Sequence, residues 1–259
     1  MSLGTIGYNV SNSISDAICF DILGDGEQRN YGQQRVWGTI GFGLSALVGG
    51  YLIDKTSYGL DVKNYTPAYA LAVGLMLLDV ATCCKLKFPP LPKSESIVRS
   101  ITSLVKQPAV LTFLIYAMLV GICDAAMIFY LLWYLEDLAK VTNQIENIKL
   151  LQGLTVACET LFGEVVFFYI SGYVISRLGY GHCLTLCFAL YALRLGLVSA
   201  LPSPWWILPV ETFMQGPTYA LCYATIVGYA SQVSPPGTSA TMQGLVAGMD
   251  DGIGKFQNE

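Results

Sequence analysis

The stretch PAVLTFLIYAMLVGICDAAMIFYLLWYL, residues 108–135, contains a single charged residue, Asp124. An apolar run of about 20 residues is long enough to cross the hydrocarbon core of a bilayer as a helix. Five further apolar runs predict membrane spans, and partial helices are expected at 3–23 and 238–249. The expected fold is therefore an all-α, polytopic transmembrane helical bundle, with spans at 36–53, 65–84, 108–135, 150–175, 180–201 and 204–233.

The composition agrees with a membrane protein. Hydrophobic residues make up 54% of the chain and charged residues 12%, with a mean hydropathy of +0.53, whereas soluble domains carry about 25% charged residues. The eight cysteines all lie in or at the ends of apolar runs, so we expect small buried packing residues and no disulfide framework.

The sequence offers little for an enzyme or a metal site. The single histidine, His182, has no Cys-x-x-Cys pair to complete a zinc site. No nucleophile with a matching base and no phosphate-binding loop is evident. We therefore expect no metal, no cofactor, no enzymatic activity and no nucleic-acid partner.

Basic residues predict the orientation, because short loops rich in Lys and Arg stay in the cytoplasm. The segment between the second and third spans carries five of them, and alternation from there places eight basic residues inside and four outside. This segment, 85–107, is expected to be a cytoplasmic linker with a proline-rich start and an amphipathic helix at 97–107. Its basic residues are Lys85, Lys87, Lys93, Arg99 and Lys106.

The most informative residues are charged ones inside the apolar runs. Each costs about 2.5 to 3.5 kcal/mol at a helix centre that faces lipid, so they are expected to face the bundle interior or a water-filled cavity. Four acids with one arginine leave acids without a basic partner, and such acids tend to be protonated and can exchange protons. The alternative is that they only hold helices together. In the apolar runs between residues 108 and 233 these residues are Asp124, Glu159, Glu164, Arg194 and Glu211.

Three local expectations concern the faces and bends of single helices. Glu159 and Arg194 are expected to form an ion pair, whereas Glu164, five residues on and about 140° around an α-helix, is expected to face a different wall. Gly41, Ser45 and Gly49 form a small-residue face that predicts close helix packing. The segment 209–217, with Pro209, Gly216 and Pro217, predicts a kink in the sixth span.

Two segments, YGQQRVWGTIGFG at 31–43 and LVGGYLID at 47–54, resemble the major facilitator superfamily, in its branch of lactose permease and nucleoside and proton symporters. With WYLEDL at 133–138 and PPGTSATMQGL at 235–245, they are similar to the animal major facilitator superfamily domain-containing protein six group. The resemblance implies a partial major facilitator fold, with helices five to ten of a twelve-helix carrier complete and helices four and eleven partial. It also implies a fragment or truncated isoform.

The resemblance implies a domain organisation as well. It assigns helices four to six of the N-terminal bundle to 1–84, the cytoplasmic linker to 85–107, most of the C-terminal bundle to 108–249, and a polar tail to 250–259.

The resemblance also assigns roles to individual residues. Arg35 corresponds to the helix-five arginine that contacts sugar in lactose-permease-like carriers, and Asp16 lies close to the carboxylate that pairs with it. Helix ten departs from the permease pattern, because ETFMQGP at 211–217 contains no histidine, and Glu211 takes the coupling role. The candidate substrate-binding or proton-coupling residues are Asp16, Arg35, Asp124, Glu159, Arg194 and Glu211.

These features predict a secondary active transporter, proton-coupled, that moves a sugar- or nucleoside-like polar solute by alternating access. Its partners are then a small polar solute, protons and the lipid bilayer, and its location is a plasma membrane or an endomembrane compartment. Two alternatives stay open. One is a non-transporting membrane receptor or regulatory protein on the same fold, and the other is a truncated chain without activity.

Overall fold

The computed structural model of the protein describes residues 3–23, 30–56, 64–85, 106–143, 148–234 and 238–249. These ranges contain helices and short turns and no strand, which confirms the all-α fold class. Their α-helices, in chain order, are α1 (Leu3–Leu23), α2 (Tyr31–Thr56), α3 (Thr66–Cys83), α4 (Pro108–Val141), α5 (Ile148–Cys158), α6 (Val165–Leu178), α7 (Tyr180–Ser199), α8 (Ile207–Gln215), α9 (Leu221–Val233) and α10 (Ser239–Ala247).

Four helical stretches in the described part of the chain are long and apolar enough to cross a membrane. They coincide with the second to fifth spans expected from the sequence, and the first and sixth expected spans are also helical. The longest helix, α4, has 34 residues and is roughly 50 Å long at 1.5 Å per residue. It exceeds a hydrocarbon core about 30 Å thick, so α4 must tilt or protrude. The four stretches are Thr66–Cys83, Pro108–Val141, Leu151–Leu178 and Tyr180–Ser199.

Proline and glycine set several helix ends. Pro108 opens α4 directly after Gln107, which has an extended backbone, because proline needs no N–H partner in the first turn of a helix. Gly179 ends α6 with a φ of 77°, and its N–H donates to the carbonyl of Ile175. Only glycine adopts such a φ readily, and α7 begins at the next residue. This turn makes α6 and α7 neighbours.

Two π-helical turns interrupt the helices near the middle of the bundle. The first, Glu159–Glu164, joins α5 to α6, and the second, Gly216–Ala220, joins α8 to α9. They lie against each other, since a Cβ built at Gly216 would be 2.6 Å from the carbonyl oxygen of Gly163. The weakening expected at Gly216 and Pro217 therefore takes the form of a π-helical turn, which often marks a functional position in a helix.

The apolar core has three parts. One joins α4, α7, α9 and α10 around Tyr191, and another joins α4, α5, α7 and α8 around Leu135. The third connects α1 and α2 with α6 and α9 through Phe20, Tyr31 and Phe168. This third part is the boundary between the helices before residue 84 and those after residue 108, where α1 also packs on α10 and α2 on α6.

The expected close packing at Gly41 and Gly49 is wrong, because a Cβ built at either position meets nothing described within 4 Å. The close contacts of α2 are at Gly32, whose built Cβ would lie 2.1 Å from the carbonyl oxygen of Phe168, and at Gly43, 2.9 Å from Leu161. Gly32 and Gly43 are about three helical turns apart and share a face. Gly41 lies on the opposite face, away from α6.

The helix α3 buries none of its residues against the rest of the described structure. Of the eight cysteines, all with free thiols, Cys83 and Cys84 at its end are exposed and the other six are buried or half-buried. The expectation of buried cysteines is wrong for this pair, because no residue of α3 is buried by the described part of the chain, in which α2 packs on α3. The linker expected at 85–107 lies outside the described residues except at its ends, and the tail 250–259 lies wholly outside them.

Candidate functional site

The candidate residues form two polar clusters. The first, which we call the Arg194 cluster, joins α7, α8 and both π-helical turns and consists of Glu159, Arg194, Glu211 and Thr218. The second, which we call the Asp16 cluster, joins α1, α2 and α9 and consists of Asn12, Asp16, Tyr31, Arg35 and Tyr223.

The centre of the Arg194 cluster is a buried ion pair. Arg194 is 2% exposed and Glu211 is 0% exposed. Arg194 donates through Nε to Oε1 of Glu211 at 3.2 Å and through Nη2 to Oε2, which makes a bidentate pair. Its Nη1 donates to the Thr218 hydroxyl at 2.8 Å. The guanidinium is thereby held by three hydrogen bonds at a buried position.

The ion pair expected between Glu159 and Arg194 is not the one that forms. Glu211 makes the contacts to the guanidinium, and the carboxyl group of Glu159 lies near enough to interact electrostatically with both Glu211 and Arg194. The reason is local geometry, because the π-helical turn that carries Glu159 packs on α8. Two carboxyl groups therefore share the surroundings of one guanidinium.

Asp124 is connected to this cluster through a tyrosine. The hydroxyl of Tyr191, on α7, donates to Oδ1 of Asp124 on α4. Tyr191 is 1% exposed and precedes Arg194 by three residues, so both side chains project from one face of α7. Asp124 is thus fixed beside the Arg194 cluster from a third helix.

Glu164 has a larger part in the site than the sequence indicated. It accepts a hydrogen bond from Nε2 of Gln215 at 3.0 Å and interacts electrostatically with both Arg35 and Arg194. An α-helix would place Glu159 and Glu164 on different faces, but a π-helical turn bonds residue i to i+5 and brings residues five apart close to the same face. Glu164 consequently lies between the two clusters.

The Asp16 cluster has a carboxylate at its centre. Tyr31 donates to Oδ1 of Asp16 at 2.8 Å and Tyr223 donates to Oδ2 at 2.7 Å. Arg35 lies 3.5 Å from Oδ1, donates to Oδ1 of Asn12 at 2.9 Å, and stacks over the ring of Tyr223 at 4.9 Å. Each oxygen of the carboxylate therefore has a hydroxyl donor, and Arg35 neutralises its charge.

Accessibility differs within this cluster. The side chain of Arg35 is 23% exposed, whereas that of Asp16 is 6% exposed. Arg35 is thus the charged group that an incoming polar molecule can reach, and Asp16 fixes its position. Tyr223 is the member that comes from α9, so the cluster spans the boundary between the two groups of helices.

Several of these partners were absent from the sequence-based candidates. The sequence did single out the position of Tyr31, because this residue is the first of the segment YGQQRVWG, which carries the family resemblance. No sequence pattern indicated Tyr191, Thr218 or Tyr223, because tyrosine and threonine are ordinary residues in apolar helices. Their partners are also distant in the chain. Among the described residues, no group of three or more His, Cys, Asp or Glu could hold a metal ion.

A family model described as the MFS_1 like family matches residues 1–257, a range that includes both clusters and every described helix. No solved structure matches the chain.

Proposed function

Because the chain belongs to the MFS_1 like family of the major facilitator superfamily, we propose that it acts as a secondary active transporter of a polar solute. Transporters of this superfamily move small solutes across membranes, and the chain is an integral membrane protein. Within the superfamily we assign it to the branch of lactose permease and the nucleoside and proton symporters, near the domain-containing protein six group. Its membrane is the plasma membrane or an endomembrane.

The proposal assigns residues 1–84 and 108–249 to two bundles that rock against each other around a site between them. The arrangement of the two clusters supports it. The Asp16 cluster contributes groups from α1 and α2, the Arg194 cluster contributes groups from α7 and α8, and Glu164 interacts with both. A sugar- or nucleoside-like solute has hydroxyl groups that these carboxylates, Arg35 and the tyrosine hydroxyls can bind.

The observation that carries proton coupling is the ratio of acids to base around Arg194. One guanidinium balances the charge of one carboxylate, and the Arg194 guanidinium already binds both carboxylate oxygens of Glu211. The carboxyl group of Glu159 lies near Glu211 and the same guanidinium, so two ionised acids would carry one negative charge more than Arg194 balances, and a proton on one of them removes the excess. A second uncompensated charge there would be costly. In the proposed mechanism Glu159 holds this proton and releases it as the bundles move.

The other candidate site residues are assigned roles in the same transport mechanism. Asp16 and Arg35 hold the solute from the first bundle. Asp124, Arg194 and Glu211 hold the solute or the proton from the second bundle, and Glu164 connects the two.

The test is uptake by the chain reconstituted in proteoliposomes with an imposed inward proton gradient. The probes are a panel of radiolabelled sugars and nucleosides, first screened by their effect on the melting temperature of the detergent-solubilised protein. The gradient is expected to accelerate uptake of the solute that binds. Glu159→Gln is expected to remove the dependence on the gradient, because an amide exchanges no proton, and Arg35→Ala is expected to abolish uptake.

The matched control is Asp137→Asn, which neutralises an acid whose side chain is 74% exposed and should leave uptake unchanged. If neither Glu159→Gln nor Arg35→Ala alters uptake, the assigned site is wrong. If a solute raises the melting temperature but no solute enters the vesicles, the receptor alternative replaces the transporter.

A further inference from the structure

We propose that Cys83 and Cys84 form a site of S-acylation, at which a long-chain fatty acyl group is attached through a thioester. Their exposure is the first observation that points to it. All eight cysteines lie in the described residues, and these two alone are exposed. They are adjacent in the chain and lie at the end of a candidate membrane span.

Their position along α3 matches the surface of a bilayer. The helix has 18 residues and is about 27 Å long, close to the thickness of the hydrocarbon core. Its last residue is Cys83, and Cys84 and the exposed Lys85 continue the turn. The two thiols therefore lie at the boundary between acyl chains and headgroups, which is where reversibly acylated cysteines occur.

The surface next to the thiols suits an acyl chain. On the face of α3 below Cys84, the side chains one, two and three turns back are Val80, Leu77 and Val73, and they are 60%, 65% and 56% exposed. No described helix covers this strip. An acyl chain attached at Cys84 would extend along it into the bilayer.

The carboxylate of Asp79 lies next to the thiol of Cys83. Sγ of Cys83 donates to Oδ1 of Asp79, one turn earlier on α3, at 4.0 Å. Asp79 is in position to take the thiol proton during the reaction. This contact is independent of the exposure of the pair and distinguishes Cys83 from a cysteine that only faces lipid.

The reaction is a thioester exchange with an acyl thioester such as a long-chain acyl coenzyme A. The sulfur of Cys83 or Cys84 attacks the carbonyl carbon of the donor, a new carbon–sulfur bond forms, and the bond to the leaving thiol breaks. The proton lost by the cysteine ends on the leaving thiolate. No oxidant or reductant is needed.

The acyl donor is cytosolic, so the site requires the loop after α3 to face the cytoplasm, as the basic residues from Lys85 onward predict. Acylation would then fix the start of this basic loop at the inner surface of the membrane. It does not depend on whether the protein transports a solute.

The test is acyl exchange on the full chain expressed in cultured animal cells. Free thiols are blocked, thioesters are cleaved with hydroxylamine, and the released thiols are tagged with a maleimide polymer that shifts the band on a gel. The wild-type chain is expected to show a hydroxylamine-dependent shift of up to two tags. Cys83→Ser and Cys84→Ser should each lose one tag, and the double variant should lose nearly all of the signal.

The control is Cys19→Ser with Cys123→Ser, which replaces two half-buried cysteines and should keep the shift. Asp79→Asn should slow labelling with an alkyne-tagged palmitate without changing the number of sites. Absence of a hydroxylamine-dependent shift in the wild type overturns the proposal, as does its persistence in the double variant. A shift that appears with a phosphine reductant instead indicates a disulfide between the two cysteines and also overturns it.

Discussion

The two polar clusters are built differently, although each holds an arginine against a carboxylate. In the Arg194 cluster both charged partners are almost completely buried, and all members follow residue 108. In the Asp16 cluster the arginine is partly exposed, and the network connects α1 and α2 to Tyr223 on α9. The first places its charges among helices that all follow residue 108, and the second connects helices before residue 84 with a helix after residue 108.

The largest expected effect comes from breaking the buried pair. Arg194→Leu leaves the carboxylate of Glu211 buried beside Glu159 without a guanidinium, which should destabilise the fold by about 3 to 5 kcal/mol. Denaturant titration of the purified protein in detergent, with helix content as the signal, measures this.

The double variant Arg194→Leu with Glu211→Leu removes both charges and should recover most of the lost stability. If it is as unstable as the single variant, the pair is a packing element and the contrast with the Asp16 cluster fails.

The next effect separates the two sides of the Asp16 cluster. Tyr31→Phe and Tyr223→Phe each remove one hydroxyl bond to the Asp16 carboxylate, of similar length, and each should cost roughly 1.5 to 3 kcal/mol. Of these two bonds, the one from Tyr223 joins α9 to α1, and the same hydroxyl also accepts a bond from Asn12 on α1 at 3.2 Å. Hydrogen–deuterium exchange of peptides from α2 and α6 should therefore rise more in Tyr223→Phe than in Tyr31→Phe. Equal exchange in the two variants would contradict a cross-bundle role.

A smaller effect is expected at Gly32, where α2 approaches α6 closely beside the Asp16 cluster. Gly32→Ala places a Cβ against the carbonyl of Phe168 and the hydroxyl of Ser171, and the strain should cost about 1 to 3 kcal/mol. Gly41→Ala is the matched control, because its Cβ meets open space and the alanine should stabilise the helix by about 0.5 to 1 kcal/mol. Melting temperatures of the two variants should move in opposite directions, and a shift in the same direction would contradict this packing.

The smallest expected effect tests how much burial contributes to the stabilisation by an ion pair. Asp137 and Lys140 form an ion pair at 2.8 Å on the exposed end of α4. Because both side chains face solvent, Asp137→Ala should leave the melting temperature unchanged within error. A clear loss of stability here would mean that distance, and not burial, determines the strength of these pairs.

The helices could be predicted from the sequence because their signals are local. The run at 108–135 is too long and too apolar for a soluble helix, and Gly179 separates two such runs. The inward position of the rare charges in the apolar helices after residue 108 followed from the cost of exposing them to lipid.

The pairing of those charges could not be predicted in the same way. Whether Arg194 binds Glu159 or Glu211 depends on the π-helical turn at Glu159–Glu164, which changes the face on which each acid lies. An α-helical wheel placed Glu164 away from the site for the same reason. Tyr223 and Asp16 are separated by 207 residues, and no local pattern in a single sequence indicates a contact at that distance.

That separation also has a consequence for biosynthesis. Tyr31 and Arg35 leave the ribosome soon after Asp16, but at about 5 to 20 residues per second the 207 residues to Tyr223 take roughly 10 to 40 s. During this interval Tyr31 and Arg35 are the members of the Asp16 cluster that can already contact the Asp16 carboxylate. Tyr31 and Arg35 can therefore bind the acid early in synthesis, and the hydroxyl of Tyr223 adds its bond to the other carboxylate oxygen later.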